Sequence, residues 1–453
     1  VGIAVRAAPC RLTRPGRLRS INWGWHLCTY RPRMPAPLDH RSLYRLPWNL
    51  ADNPIAWLEP TQACNLACDG CYRKNVKEHK SLDDVQADLD VFARLRNVDG
   101  VSIAGGDPLM HHELPAIVAR VAAMGRKPII NTNGLALTRE LLVELKHAGL
   151  VGLTFHVDSR QGRPGWRDKT EVQMCELRQV YADLVASVGG LACAFNSTVY
   201  DETLHEVPDL MAWAGRNLGK VHTMVFILFR AAALKEFDYF VGGKKVDVDQ
   251  LVYGQPQTRR LDLNAREVVD VIRERYPDFA PCAYLNGTKQ PDSFKWLLSM
   301  RLASENKTYG WVGPKFMEAA QAAYHLWTGR YVSYAAPAAL TLGRSVLAGA
   351  WPFDRGVRDA AKTWARTLLT SPREATREMH MQSFLIIQPI DTLEDGADNM
   401  CDGCPDMTVH DGKLVWSCRL EEPRAFGNFC TAVPKSKAAA RPKLAVAEGP
   451  APQ

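Results

Sequence analysis

The run Cys64-Asn65-Leu66-Ala67-Cys68-Asp69-Gly70-Cys71 places three thiols at C-x3-C-x2-C spacing. Thiolates are soft ligands suited to iron–sulfur clusters and zinc. Three this close can each bind one iron of a cuboidal [4Fe–4S] cluster. The fourth iron then has no protein ligand, although such clusters normally take four thiolates. A zinc site or a redox thiol group is the rival reading of the spacing, but structural zinc sites usually close with two separated pairs. A second candidate, Ala104-Gly105-Gly106-Asp107-Pro108, ends the strand-like run Gly100–Ile103. Glycines lack Cβ and let main chain approach a ligand closely. A plain turn is the blander reading of that pair alone.

A further group of cysteines stands near the C-terminus: Cys401, Cys404, Cys418 and Cys430. Asp411-Gly412, flanked by β-favouring residues, is a hairpin signal, and such a hairpin would return Cys418 toward Cys404. Cys401, Cys404 and Cys418 are read as ligands of a second metal centre, with Cys430 as a fourth. A zinc ribbon-like site is the alternative here.

Together, the cysteine triad and the Gly-Gly-Asp-Pro segment resemble the radical S-adenosylmethionine (SAM) superfamily. In that family SAM chelates the open iron through its amino and carboxylate groups. One electron from the cluster then splits the sulfonium, and the 5′-deoxyadenosyl radical takes a hydrogen from the substrate. The resemblance implies a [4Fe–4S] cluster on Cys64, Cys68 and Cys71, with Gly105, Gly106 and Asp107 holding the SAM amino end. Two residues depart from the family pattern. Asp107 stands where the family has Glu, and Gly70 replaces the usual aromatic before the third cysteine, which makes Tyr72 the candidate neighbour of the adenine. The C-terminal group is similar to the SPASM and Twitch extensions, which implies an auxiliary [4Fe–4S] cluster, although the spacing is not the usual one. A reducing protein such as flavodoxin or ferredoxin is the implied partner.

These residues need elements to position them. Short apolar runs alternate with helical stretches from Ile55 to about Arg230: Ile55–Glu59, Val101–Ala104, Pro128–Thr132, Gly152–Val157, Leu191–Val199 and Val221–Phe229. Helices are expected between them, the first over Ser81–Arg96 with Ser81 as N-cap. Strands alternating with helices imply a parallel sheet, and six repeats match the family's partial (β/α)6 TIM-like barrel, an α/β fold. Chemistry in such barrels sits at the C-terminal strand ends. Alternation puts Thr154, His156 and Asp158 on one face and Phe155 and Val157 on the other. Asn133, Thr154 and Asn196 are candidate SAM contacts; a hydrogen-bonded polar layer is the plainer alternative. His156 and Asp158 are candidates for positioning substrate or moving a proton, or form a structural pair. The arginines of the following loop, Arg160, Arg163 and Arg167, suit an anionic group.

The chain has 453 residues and a net charge of +7. Its charge is concentrated at the ends: nine Arg and one Asp in residues 1–50 give +8, and the segment from Pro434 gives +3, leaving about −4 between. No recognition motif uses these basic ends, so no nucleic-acid partner is expected. Twelve cysteines without an export-type apolar stretch point to metal binding in a reducing compartment, and the expected location is cytoplasmic. Five scattered thiols (Cys10, Cys28, Cys175, Cys193 and Cys282) read as buried and inert. Met34 is read as a true start. The expected domains are a basic irregular segment (1–49), the barrel (50–235), a helical, aromatic-rich accessory region (236–400), the auxiliary cluster region (401–433) and a disordered tail (434–453). Tyr331–Phe353 is apolar but contains Pro337 and Arg344, which argues against a membrane span. Peripheral membrane contact, or a lid over the barrel, fits the aromatic residues there. The expected substrate is a small apolar or lipid-like molecule. A peptide maturase is the enzymatic alternative, and a non-catalytic Fe–S or zinc scaffold is the alternative of another class.

Overall fold

In a computed structural model the described residues are 37–435, apart from 232, 253–258 and 306. The expectations for Met34, Cys10, Cys28, most of the basic segment and the tail beyond residue 435 lie outside the described residues.

The first part of the chain contains β1 (Tyr44–Arg45), β2 (Ile55–Thr61), α1 (Leu82–Leu95), β3 (Gly100–Gly105) and α2 (Leu114–Ala123). It continues through β4 (Lys127–Thr132), α3 (Arg139–His147), β5 (Gly152–His156), α4 (Cys175–Val188), β6 (Ala192–Val199), α5 (Val207–Gly215) and β7 (Thr223–Leu228). Strands β2 to β7 pair in chain order and all run parallel, giving the six β/α repeats of the expected partial barrel. The helices begin where capping chemistry dictates. Ser81 accepts from the Asp84 amide at 3.1 Å while the Asp84 carboxylate accepts from the Ser81 amide at 3.1 Å, a reciprocal cap. Thr138 caps α3 one way, its hydroxyl accepting from the Leu141 amide. Outward strand residues such as Ile103, Ile130, Phe155, Phe195 and Phe226 join Leu89, Ile117, Leu142 and Tyr181 from the helices in the main core.

The middle region differs from the helical reading. It contains β8 (Phe237–Val241), β9 (Lys244–Val246), α6 (Ala265–Arg275), β10 (Ala283–Leu285), β11 (Trp296–Ser304), β12 (Lys307–Trp311), α7 (Pro314–Thr328), α8 (Gly343–Ala350), α9 (Arg355–Thr370), β13 (His380–Ile387), β14 (Asp391–Thr392) and β15 (Asp398–Asn399). β13 adds parallel to β7, β11 pairs antiparallel with β13, and β10 with β11, extending the barrel sheet to eleven strands. The physical reason is a period of two. Gln382, Phe384 and Ile386 are buried, whereas Met381, Ser383, Leu385 and Ile387 line a cavity on the other face. Residues 37–49 are also not irregular throughout. β1 pairs parallel with β10, and Leu46 and Trp48 are buried in a second core with Leu285, Trp296 and Val312.

The Cys-rich region holds β16 (Met407–His410), β17 (Lys413–Trp416), α10 (Glu421–Phe426) and β18 (Thr431–Pro434). β16 and β17 form the hairpin expected from Asp411-Gly412, with positive φ at both turn residues (48° and 70°). Tyr331–Phe353 contains a 3-10 turn at Pro337–Thr341 and the short α8, and no described helix is long and apolar enough to cross a membrane.

Candidate functional site

A cavity of about 550 Å³ opens at the C-terminal ends of the barrel strands, within the usual size range for ligand pockets. The loop after β2 presents Cys64, Cys68 and Cys71 to it. Burial pushes all three thiols up, and each of Cys64 and Cys68 also feels its neighbours' negative charge, so deprotonation there favours a bound cation. The loop is held from beneath. The Gly106 amide donates to the Thr61 carbonyl at 2.9 Å and the Asp107 amide to the Ala63 carbonyl at 2.8 Å. A Cβ on Gly105 would fall 2.3 Å from the Thr61 oxygen, and one on Gly106 would fall 2.3 Å from the Ala63 oxygen. Close approach is therefore required, but to the cysteine-bearing loop's own backbone.

Asp107 is tied into the strand ends beside the cavity. It lines the cavity yet is 1% exposed, and its oxygens accept from Thr132 Oγ1 (2.9 Å), the Asn133 amide (2.8 Å) and the Leu109 amide (2.9 Å). The carboxylate ties the end of β3 to the end of β4 and is already satisfied. Burial pushes its acid up against these hydrogen bonds. Asn133 is committed to the loop, donating to Asn65 Oδ1 at 2.7 Å with Cys64 Sγ at 3.7 Å.

Thr154, His156, Asp158 and Asn196 all face the cavity. Thr154 hydrogen-bonds the Tyr334 hydroxyl at 3.1 Å, so the accessory region contacts the barrel's polar layer directly. His156 Nε2 lies 3.1 Å from Asp158 Oδ2 and 3.0 Å from Thr198 Oγ1. Burial would raise the Asp158 acid, but His156, the Arg160 amide and Thr198 together hold it below the ordinary carboxylate range. Of the three loop arginines only Arg163 is buried. It bonds the Asn133 carbonyl at 2.7 Å and the His156 carbonyl at 2.8 Å, and its Nη1 has no hydrogen-bond partner among the described residues. Asn131 Nδ2, at the cavity wall, is also without one.

Cys401, Cys404 and Cys418 face the same cavity. The hairpin brings them together: Cys404 is raised by its contact with Cys401, then by burial and by the charge of Cys418. Cys418 is pushed up to about 12 by burial and by Cys401. Cys430 stands apart. It packs with Phe237, Tyr239 and Ala432 in a separate small core, because β18 pairs with β8 and carries it away from the cavity. Among the described residues no three His, Cys, Asp or Glu side chains converge as around a single metal ion; a cuboidal cluster, with one iron per thiolate, does not require that.

The profile of the Radical SAM superfamily matches residues 58–171, a span that contains Cys64, Cys68, Cys71 and Gly105–Asp107. Over this span the chain is similar to the radical SAM superfamily. Among its relatives, the AdoMet-dependent heme synthase of Nitratidesulfovibrio vulgaris is 27% identical over 197 residues, covering 40% of this chain and 50% of that protein. The GTP 3',8-cyclase of Streptomyces coelicolor is 31% identical over 165 residues, covering 34% and 47%. The chain thus spans about half the length of the curated relatives it matches. Among solved structures, Streptococcus suis SuiB bound to S-adenosylmethionine aligns at a TM-score of 0.36 and 14% identity, covering 51% of this chain and 48% of that one.

The match over residues 58–171 implies a [4Fe–4S] cluster, SAM and a reductant. The donor set fits: three cavity-facing thiols, with an unpartnered donor on Asn131 at the cavity wall. Tyr72 also lines the cavity, with the Arg73 guanidinium 4.7 Å from its ring centre. Gly70 is explained by residues that sequence reasoning missed. A Cβ there would meet the Tyr200 hydroxyl at 2.9 Å and Phe229 at 3.5 Å, so this aromatic pair fills the space beside the third cysteine. Also missed was a buried link between the two cysteine groups. Arg73, two residues after Cys71, bonds Glu59 through Nε (2.8 Å) and Nη2, and Ser417 Oγ through Nη2 at 2.9 Å, next to Cys418. Opposite charges within a strand and the loop that follows it were the available signal.

Proposed function

We propose that this protein is a radical SAM enzyme acting on a small, largely apolar substrate enclosed between its two cysteine trios. The supporting observation is the shared cavity, bounded on one side by the polar strand ends of β4 to β6 and on the other by apolar side chains. That apolar wall comes from β11 and β13, through Trp296, Leu298, Met300, Met381, Leu385 and Ile387. When bound, the cluster and SAM supply one-electron hydrogen-abstraction chemistry. Cys64, Cys68 and Cys71 would hold the cluster. The Gly105–Gly106 backbone fixes the loop that carries them, and Asp107 fixes the strand end that carries Asn133. Arg163 offers a charged donor to the anionic end of SAM. The apolar wall excludes water from the reacting carbon, and the His156–Asp158 pair can hold or deliver a proton at the edge of the same space.

Cys401, Cys404 and Cys418 would hold an auxiliary cluster across the cavity, without Cys430. Flavodoxin or ferredoxin is the proposed reductant, in the cytoplasm. Exposed Leu326, Trp327 and Leu369 on α7 and α9 suit a lipid-bearing substrate presented at a membrane surface.

Anaerobic reconstitution with iron, sulfide, SAM and dithionite tests the reading. 5′-Deoxyadenosine should form with the native chain and not after Cys64/68/71→Ala, and that triple variant should still bind iron. A native chain that binds iron but never cleaves SAM would remove the enzymatic reading in favour of a scaffold.

A further inference from the structure

Arg96 follows the last turn of α1, on the outer layer of the barrel, and is 2% exposed. Its Nη2 donates to the Cys404 carbonyl at 3.0 Å. Its Nε and Nη1 have no hydrogen-bond partner among the described residues, and no described carboxylate lies within ion-pair distance of it. The ionisable groups whose charge acts on it are Cys404 and Asp406. Nearby buried cations are satisfied differently: Arg73 by Glu59, and Arg419 by Glu422 and Asp398. Arg301, another buried guanidinium, lies 5.0 Å from the Phe384 ring centre and bonds Gln382. A buried guanidinium without a direct ion pair is costly; Asp406 acts on Arg96 only through its charge, and Arg96 is held directly behind one cysteine of the C-terminal trio.

We propose that Arg96 is the charge partner of an anionic, thiolate-bound centre at Cys401, Cys404 and Cys418, raising its reduction potential. This rests on the auxiliary-cluster reading given above. Net charge and hydrogen bonding around the sulfurs set Fe–S potentials. A fixed cation behind Cys404 favours the more negative, reduced form. It also anchors the hairpin region to α1, so the radical SAM barrel itself contributes to the poise of the second centre.

The test uses the full chain carrying Cys64/68/71→Ala, in which only the C-terminal centre can report. Arg96→Gln and Arg96→Lys are introduced into it, and iron and sulfide content, thermal midpoint and an EPR-monitored redox titration are recorded for each. Iron retained in Arg96→Gln with a midpoint shifted clearly downward, and a smaller shift in Arg96→Lys, is the expected result. Loading lost in Arg96→Gln but kept in Arg96→Lys would also support the charge role. A parental amount of iron with an unchanged midpoint in Arg96→Gln would overturn it, as would loss of loading in both variants. If the parent with Cys64/68/71→Ala binds no iron at all, the auxiliary centre itself falls, and this inference with it.

Discussion

Replacing Arg73 with alanine strands a carboxylate. The side chains of Arg73 and Glu59 are 3% and 2% exposed, and Glu59 also accepts from Trp57 Nε1 (3.1 Å) and Ser417 Oγ (3.2 Å). Removing one member of a buried pair typically costs about 3–5 kcal/mol, because the remaining charge loses its compensation. With an unfolding entropy of roughly 2.1 cal/mol/K per residue over about 400 residues, that corresponds to a fall in Tm of about 4–6 °C. Burial alone would raise the Glu59 acid, but Arg73, with Ser417, holds it below the usual range. In the parent this stability is present above the unfolded carboxyl value and is lost only as pH falls through the lowered one. In Arg73→Ala only the smaller contributions of Arg424 and Ser417 oppose burial, and the sign reverses: the carboxylate is penalised at neutral pH and relieved as acid protonates it. The Tm deficit should therefore shrink between pH 7.5 and pH 5. Calorimetry of anaerobically purified, metal-free protein measures this, alongside Arg73→Met combined with Glu59→Gln. The double variant keeps hydrogen-bonding capacity at residue 59 without the orphaned charge, so it should recover most of the loss. A single variant within 1 °C of the parent, or a double variant no better than the single, would refute the reasoning.

Gly106→Ala would place a methyl 2.3 Å from the Ala63 carbonyl oxygen. It should displace the Cys64 loop and lower the iron loaded at the first trio, read by iron count in a chain also carrying Cys401→Ala, Cys404→Ala and Cys418→Ala. Asp107→Ala orphans the Thr132 hydroxyl and two amides and should cost at least about 3 kcal/mol. A thermal midpoint equal to the parent's, with only SAM affinity reduced, would restore Asp107 to a purely ligand-binding role. His222 is buried beneath the barrel, accepts from the Cys193 amide at 3.0 Å and is pushed down to about 4, chiefly by burial. Its contribution is fully present above the unfolded value near 6.5. Stability on the order of 3 kcal/mol is lost as pH falls from there toward about 4. His222→Gln should flatten that part of the pH–stability curve, and an unchanged slope would count against it.

The six barrel strands were legible because each is a short apolar run bounded by helical periodicity, and Ser81 and Thr138 announce their helices by capping chemistry alone. β11 and β13 were not. Both of their faces are largely apolar, one toward the helices and one toward the cavity, so the polar-apolar alternation that marks a half-buried strand is weak. The Trp, Tyr and Ala of α7 to α9 surround them in sequence and favour a helical reading. Asp107 carried a second signal as well. Asp before Pro-Leu is an N-cap signature with proline at the first position, and the structure uses it that way. Cys430 shows the opposite limit, since spacing along the chain says nothing about β18 leaving with β8. These two kinds of miss have one consequence for function. The polar ends of β4 and β5 lie within the span that matches the family, whereas the end of β6 and the wall that would select a substrate lie outside it. On the proposed reading, substrate choice is encoded in strands outside the matched span. Enlarging a wall residue, as in Met381→Trp on β13, should alter which molecules couple to SAM cleavage while leaving substrate-free formation of 5′-deoxyadenosine intact, because Met381 belongs to β13, paired with β11, and not to the segments hydrogen-bonded to the first cysteine loop.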